Sequence, residues 1–188
     1  MKIITTILFF TGVSLAMFVS SQNMYGSACD VERSRHLHFS DTSSLDSMSV
    51  SIAGATCEKA RIHIALRNSD NDLIYSYQGN FSEHFPFELE GDALATAAAP
   101  FAESLLEDAN IRSTQALPEL TSADAYLQEN NESLMISSED YQALQRNERP
   151  IIRHATANGS WLNLVYNAES KSATPILQGG PSEVPTIN

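Results

Sequence analysis

Between Ala60 and Leu66 the chain changes character at every residue. Ala60, Ile62, Ile64 and Leu66 fall on one side of an extended chain, and Arg61, His63, Ala65 and Arg67 fall on the other. A turn cluster, "NSDND" (68–72), follows, and "LIYSYQGNF" (73–81) returns with tyrosines and β-branched residues, so the pattern predicts a β-hairpin. Two earlier stretches alternate in the same way. "ERSRHLHF" (32–39) sets Arg35, Leu37 and Phe39 against Ser34, His36 and His38, and "SMSVSIAG" (47–54) sets Met48, Val50 and Ile52 against serines. The first half of the chain therefore reads as strands with one face buried.

The period then lengthens. After Asp92, a predicted N-cap, Leu94, Ala97, Ala98, Phe101 and Leu105 recur at helical spacing, with Pro100 expected to kink or split the helix. Thr121 with Asp124, and Ser137 with Asp140, have the spacing of capping boxes and mark two further helix starts. "SLMIS" (133–137) between them reads as a short strand or an apolar linker. The pattern reverts to strands in "RPIIRHAT" (149–156) and "WLNLVYN" (161–167), joined by the turn "ANGS". "SATPILQ" (172–178) is a third strand, in which Pro175 calls for a sheet edge because it has no N–H to donate. Together these elements predict an α+β fold in a single domain: a mainly antiparallel sheet of five to seven strands, with the helical middle segment packed on one face.

The ends of the chain differ from this body. Lys2 followed by a nearly continuous apolar run, Ile3–Val19, with small residues at "VSS" (19–21), is the pattern of a cleaved signal peptide over residues 1–21. The domain is expected to occupy 22–178, and "GGPSEVPTIN" (179–188) has the composition of a disordered tail. The export signal places the protein in the periplasm or outside the cell, with no insertion in the membrane after cleavage. Export also decides the reading of the two cysteines. A lipid-bearing cysteine directly follows the apolar run, whereas polar and small residues separate Val19 from Cys29, and Gly26 stands where such a site carries leucine. A Cys29–Cys57 disulfide is the expectation for an even cysteine count in an oxidising compartment.

Charge narrows the classes of partner. The chain carries 11 basic and 23 acidic residues, a formal net charge of −12, and loss of Lys2 makes it more negative still. Nucleic acids and anionic membranes need a basic face, so neither is expected as a partner; a protein partner is. Against this acidic background three of the eight arginines gather in "RNERPIIRH", where Arg146, Arg149, Arg153 and His154 form the expected anion- or partner-binding segment. The same cations also suit a helix C-terminus simply by opposing its dipole.

Other candidate chemistry is sparser. His36 and His38 share one face of a strand and His63 lies on the polar face of another, so the three would converge on zinc or copper if those strands were neighbours, with Asp30 or Glu32 as a further ligand. No other cofactor is implied. "SDNDL" lacks the glycine and glutamate of a calcium loop, and the triplets at Asn80, Asn131 and Asn158 are glycosylation sites only in a eukaryotic host. The sequence has no G-x-S-x-G, H-E-x-x-H, phosphate loop or G-x-G-x-x-G, so the balance is against an enzyme. A hydrolase would need Ser160 or Ser82 beside a histidine in a concave pocket. The expected function is that of an exported acidic binding or accessory protein, an inhibitor being one form of it. A metal-binding envelope protein using His36, His38 and His63 is the alternative, and an unrecognised hydrolase is the second.

Overall fold

The computed structural model describes residues 29–85, 89–119 and 132–180. The signal segment, the Thr121 capping box, the Asn131 triplet and the tail from 181 onward lie outside the described residues. The fold is α+β, and its strands divide between two antiparallel sheets. β1 (Cys29–Leu37), β2 (Asp46–Gly54), β3 (Arg61–Arg67) and β4 (Leu73–Asn80) form the first sheet in sequence order. The second has the order β5-β7-β8-β9-β6, built from β5 (Ile111–Ser113), β6 (Glu132–Leu134), β7 (Pro150–Ala155), β8 (Trp161–Asn167) and β9 (Ser172–Gly179). Among the described residues there are two α-helices, α1 (Gly91–Ser104) and α2 (Ser138–Arg146).

The first sheet obeys the period of two because only one of its faces is dry. Val50 pairs with Ile64 and Ile52 with Ile62, which puts these side chains and Met48 and Leu66 in one buried layer. The opposite face carries Ser47, Ser49 and Ser51 on β2. α1 closes part of the inner face through Leu94, Ala98 and Ala102. Two inward arginines of β1 clamp the end of that helix: Arg33 pairs with Glu103 at 2.9 Å, and Arg35 bonds the Leu106 carbonyl at 2.7 Å and the Asp108 carboxylate. Cys29 and Cys57 are bonded, with their Cα atoms 4.9 Å apart. The bond fastens the first residue of β1 to the turn after β2, closing one end of the hairpin.

The second sheet is dry on both sides. Ile152 and Leu164, cross-strand partners, face the first sheet and join its core. Ile151 and Val165, also partners, face the other way and pack with Ile176, Leu177, Leu117 and Tyr141 of α2. α2 starts as expected: the Ser137 hydroxyl accepts the Asp140 N–H at 3.1 Å and donates to the Asp140 carboxylate at 2.7 Å. The β7–β8 turn also follows its sequence, since Asn158 and Gly159 both have positive φ, 59° and 70°, as an Asn-Gly hairpin turn requires.

Several local expectations need correction. Asp92 is not the N-cap; the helix begins at Gly91, after Glu90. Pro100 does not split α1, because Pro100 and Thr96 both lie on the exposed side and water can satisfy the Thr96 carbonyl that proline leaves without a donor. β9 is internal in the sheet order. Pro175 is nonetheless tolerated, because β6 pairs only with Leu177–Gly179 and the edge beside Pro175 is locally open. The strand also runs on to Gly179, the first residue assigned to the tail.

Gly179 is held by close approach. A Cβ built there would lie 2.2 Å from Cζ2 of Trp161, whose indole lies directly over this backbone. Gly179→Ala is therefore expected to destabilise the fold by about 1–3 kcal/mol through overpacking. Urea unfolding followed by Trp161 fluorescence checks this, with Gln178→Ala, an exposed neighbour, expected to stay near wild type.

Candidate functional site

The side chains of the arginine segment separate once β7 forms. Adjacent strand residues point to opposite faces, so Arg153 and His154 cannot serve one site. Arg153 lies on the α2 side, where its guanidinium stacks 3.7 Å from the Trp161 ring centroid and its Nε donates to Asn163 at 3.1 Å. His154 points into the interior and is 1% exposed. Arg146 ends α2 and is exposed to solvent, in place to oppose the helix dipole. Arg149 lies between helix and strand, exposed, and among the described residues its guanidinium has no hydrogen bond or ion pair.

Arg149 borders two adjoining hollows. The larger, about 640 Å³, runs between α2 and the β8–β9 hairpin, with Leu144, Val165 and Ile176 among its apolar lining and Asp140 and Glu169 among its charged residues. The smaller, about 280 Å³, opens on the far side of Arg149 against Phe39, Asp41, Glu148 and Pro150. Both also share Val165, Tyr166 and Ala168, so they form one groove that passes Arg149.

A buried carboxylate sets the wall contributed by residues 39–42. Asp46, fully buried at the start of β2, accepts the Phe39 N–H at 3.1 Å, the Ser40 N–H, and the Ser40 hydroxyl at 2.8 Å. These bonds neutralise the cost of burying the charge and draw the loop over the core. Phe39 then meets Tyr166 edge to face, at 6.5 Å between ring centroids. Asp41 is kept ionised by hydrogen bonds from the Ser43 N–H and hydroxyl, which hold its pKa below the usual carboxylate value. With Asp140, Glu148 and Glu169, it surrounds the single cation Arg149 with four carboxylates.

The three histidines considered for a metal do not meet. His36 stands opposite Ser47 and His63 opposite Ser51, which separates them by about 13 Å along β2, whereas a zinc ion holds its ligands at about 2 Å. Each ring also has its own partner: His36 the Asp46 carbonyl, His38 the Ser44 carbonyl, and His63 the Ser76 hydroxyl. Among the described residues, no three His, Cys, Asp or Glu side chains gather as metal ligands do. The His63–Ser76 bond, 2.9 Å, is the one hydrogen bond between a histidine and a serine hydroxyl among the described residues. It lies on the open outer face of the first sheet, with no third group orienting the imidazole. Ser160 and Ser82 make no bond to a histidine.

Two buried histidines, His84 and His154, each pair with a partly buried tyrosine, and sequence periodicity did not single out these pairs. His154 donates from Nδ1 to the Ala155 carbonyl at 2.9 Å, which leaves Nε2 to accept the Tyr75 hydroxyl at 2.7 Å. His84 donates from Nδ1 to the Asn80 carbonyl at 2.9 Å and accepts the Tyr77 hydroxyl at 3.2 Å. The Tyr77 oxygen in turn accepts the Ala157 N–H at 3.1 Å. Burial pulls the His154 pKa down to about 4 and lowers that of His84, so both rings are neutral near pH 7. The same burial raises the pKa of both tyrosines. Every donor in this cluster already has an acceptor, so it acts as structure joining the sheets.

No protein-family model matches this chain, and no curated protein or solved structure matches it either.

Removing one hydroxyl tests the interior reading. Tyr75→Phe leaves the His154 Nε2 buried without a donor and should cost about 1–3 kcal/mol. Tyr77→Phe removes a donor to His84 and an acceptor for Ala157, so it should cost more than Tyr75→Phe in the same urea experiment. Equal, near-zero effects for both would remove the structural role assigned to the cluster.

Proposed function

We propose that the protein is an exported binding or accessory protein of the periplasm or extracellular space, which engages another protein through the groove at Arg149. The observation that carries this reading is the contrast between satisfied and unsatisfied polar groups. The interior histidines and tyrosines are closed on one another, whereas the side chains of Arg149, Glu148 and Glu169 stand around an apolar groove with no hydrogen bond or ion pair among the described residues. Groups of this kind, displayed around an apolar floor, suit an incoming polypeptide better than a reaction.

The partner segment is extended and basic. Its apolar side chains would cover Leu144 and Val165, and its lysines or arginines would meet Glu148, Glu169, Asp140 and Asp41. Arg149, the one cation of the groove lining, would reject a misplaced cation and so set the register. The overall negative charge favours the same partner by steering it before contact. The Cys29–Cys57 disulfide agrees with an oxidising compartment, and among the described residues no helix is long and apolar enough to cross a membrane.

The test uses the whole mature chain with methyl-labelled Leu and Val, titrated with an acetylated Lys-Leu-Val-Lys peptide and with its Glu-Leu-Val-Glu counterpart. The basic peptide should move the Leu144 and Val165 methyl resonances saturably, and the acidic one should not. Glu148→Gln or Glu169→Gln should each weaken binding by about two- to fivefold, the scale of one exposed ion pair. Equal responses to both peptides, or no response at these methyls, would contradict the reading.

A further inference from the structure

The two tyrosine–histidine pairs lie where the sheets meet, and within each pair the histidine is the acceptor. Tyr75 and Tyr77 belong to β4 of the first sheet, and His84 to the turn that follows it (81–84). His154 belongs to β7 of the second sheet and Ala157 to its hairpin turn. The rings also meet across this boundary at a tilt, with Tyr77 5.2 Å and Tyr75 5.4 Å from His154 between centroids. Phe101 of α1 covers His84 at 5.6 Å.

We infer that the Tyr75–His154 and Tyr77–His84 pairs form an acid-released clasp, which holds β4 and the 81–84 turn against β7 and the 157–159 turn at neutral pH and opens locally as the medium acidifies. The chemistry is a reversal of hydrogen-bond direction. In both rings Nδ1 already donates to a backbone carbonyl, so an added proton can go only to Nε2, where a tyrosine hydroxyl now points its own hydrogen. Tyr75 must then turn its hydrogen away to accept from Nε2, and that hydrogen loses the acceptor it has now. Tyr77 would have to turn its hydrogen away while still accepting from Ala157. A cation is also left in a layer whose other neighbours are Phe81, Phe85 and Phe101.

The sign of the pH dependence follows from burial. The closed His154 takes a proton only near pH 4, whereas a ring exposed to water takes one near 6.5. Between these values the open form binds a proton that the closed form does not, so closure is complete above about pH 6.5 and is lost progressively as the pH falls towards 4. His84 is displaced in the same direction. Of the titratable groups bearing on the two rings, Tyr75 and Tyr77 stay neutral over this range. The exposed carboxylate of Glu83 favours protonation of His84, and a charge on either histidine opposes protonation of the other.

Hydrogen exchange on the full mature chain with its disulfide intact tests the clasp. After correction for intrinsic rates, the Ala157 amide should open at least about tenfold more readily at pH 5 than at pH 7, and at pH 5 it should do so with a smaller urea dependence than the Ile64 and Leu164 amides, which open only by global unfolding. Constant Ala157 protection would overturn the proposal, and so would an Ala157 urea dependence at pH 5 equal to that of Ile64 and Leu164. The double variant His84→Gln/His154→Gln keeps an acceptor on each side chain but cannot titrate, and should abolish the change at Ala157; a change that persists there would also overturn it. Nitrogen-15 spectra of the wild-type histidines give a reading independent of the variant's folding. Both rings should carry hydrogen on Nδ1 alone at pH 7, and a hydrogen on Nε2 of either ring would contradict the clasp.

Discussion

The constraint on which this fold depends is that its second sheet has no wet face. β7 sends Ile152 towards the first sheet and Ile151 away from it, and β8 does the same with Leu164 and Val165. A sheet of that kind needs a layer on each side, because apolar area left in water forfeits roughly 25 cal/mol per Å². The first sheet supplies one layer, and α2 with the segment around Leu117 supplies the other. The disulfide, the Arg33 and Arg35 clamps and the Asp46 loop all act at the margins of this arrangement, fixing segments that the shared core alone would leave free.

The same layering separates two kinds of polar group. Those caught between the sheets must pair internally, which is why His84 and His154 are tied to tyrosines and to backbone carbonyls. Those at the border of the outer layer, where α2 gives way to the β8–β9 hairpin, still meet water. Arg149, Glu148 and Glu169 are of the second kind. Their availability, set around an apolar floor, is what distinguishes a recognition surface from a structural network. Asp46 connects the two, since a fully buried carboxylate determines where the groove wall at residues 39–42 is placed.

How much of this was legible in the sequence depended on how many faces of each element are dry. Ala60–Leu66 alternates because one side of its sheet is buried, and its hairpin could be read residue by residue. "PIIRHA" and "WLNLVYN" are buried on both sides, so their alternation is broken and nothing in them reveals which residue faces which layer. The division of the strands into two sheets was hidden for that reason. Arg146, Arg149, Arg153 and His154 looked like one cluster because they are close in sequence, but a strand sends consecutive side chains to opposite faces. Of the four, only Arg149 reached the groove. The groove's other walls come from residues 39–42 and 165–176, joined to it by tertiary packing that no local pattern encodes. The Ser137 cap, the Asn-Gly turn and the Cys29–Cys57 bond depend on one or two residue types in a fixed chemical role, and these were visible from the start.

The most direct measurement of the central claim, that the two sheets share one core and stand or fall together, is native-state hydrogen exchange at pH 7 with increasing urea. Ile64 represents the first sheet, and Ile152 and Leu164 represent the face of the second that packs against it. The account predicts that the three amides converge on one opening free energy with one urea dependence, that of global unfolding. Earlier exchange of Ile152 and Leu164, with a smaller urea dependence while Ile64 stays protected, would mean that the second sheet opens by itself, and would contradict the shared core.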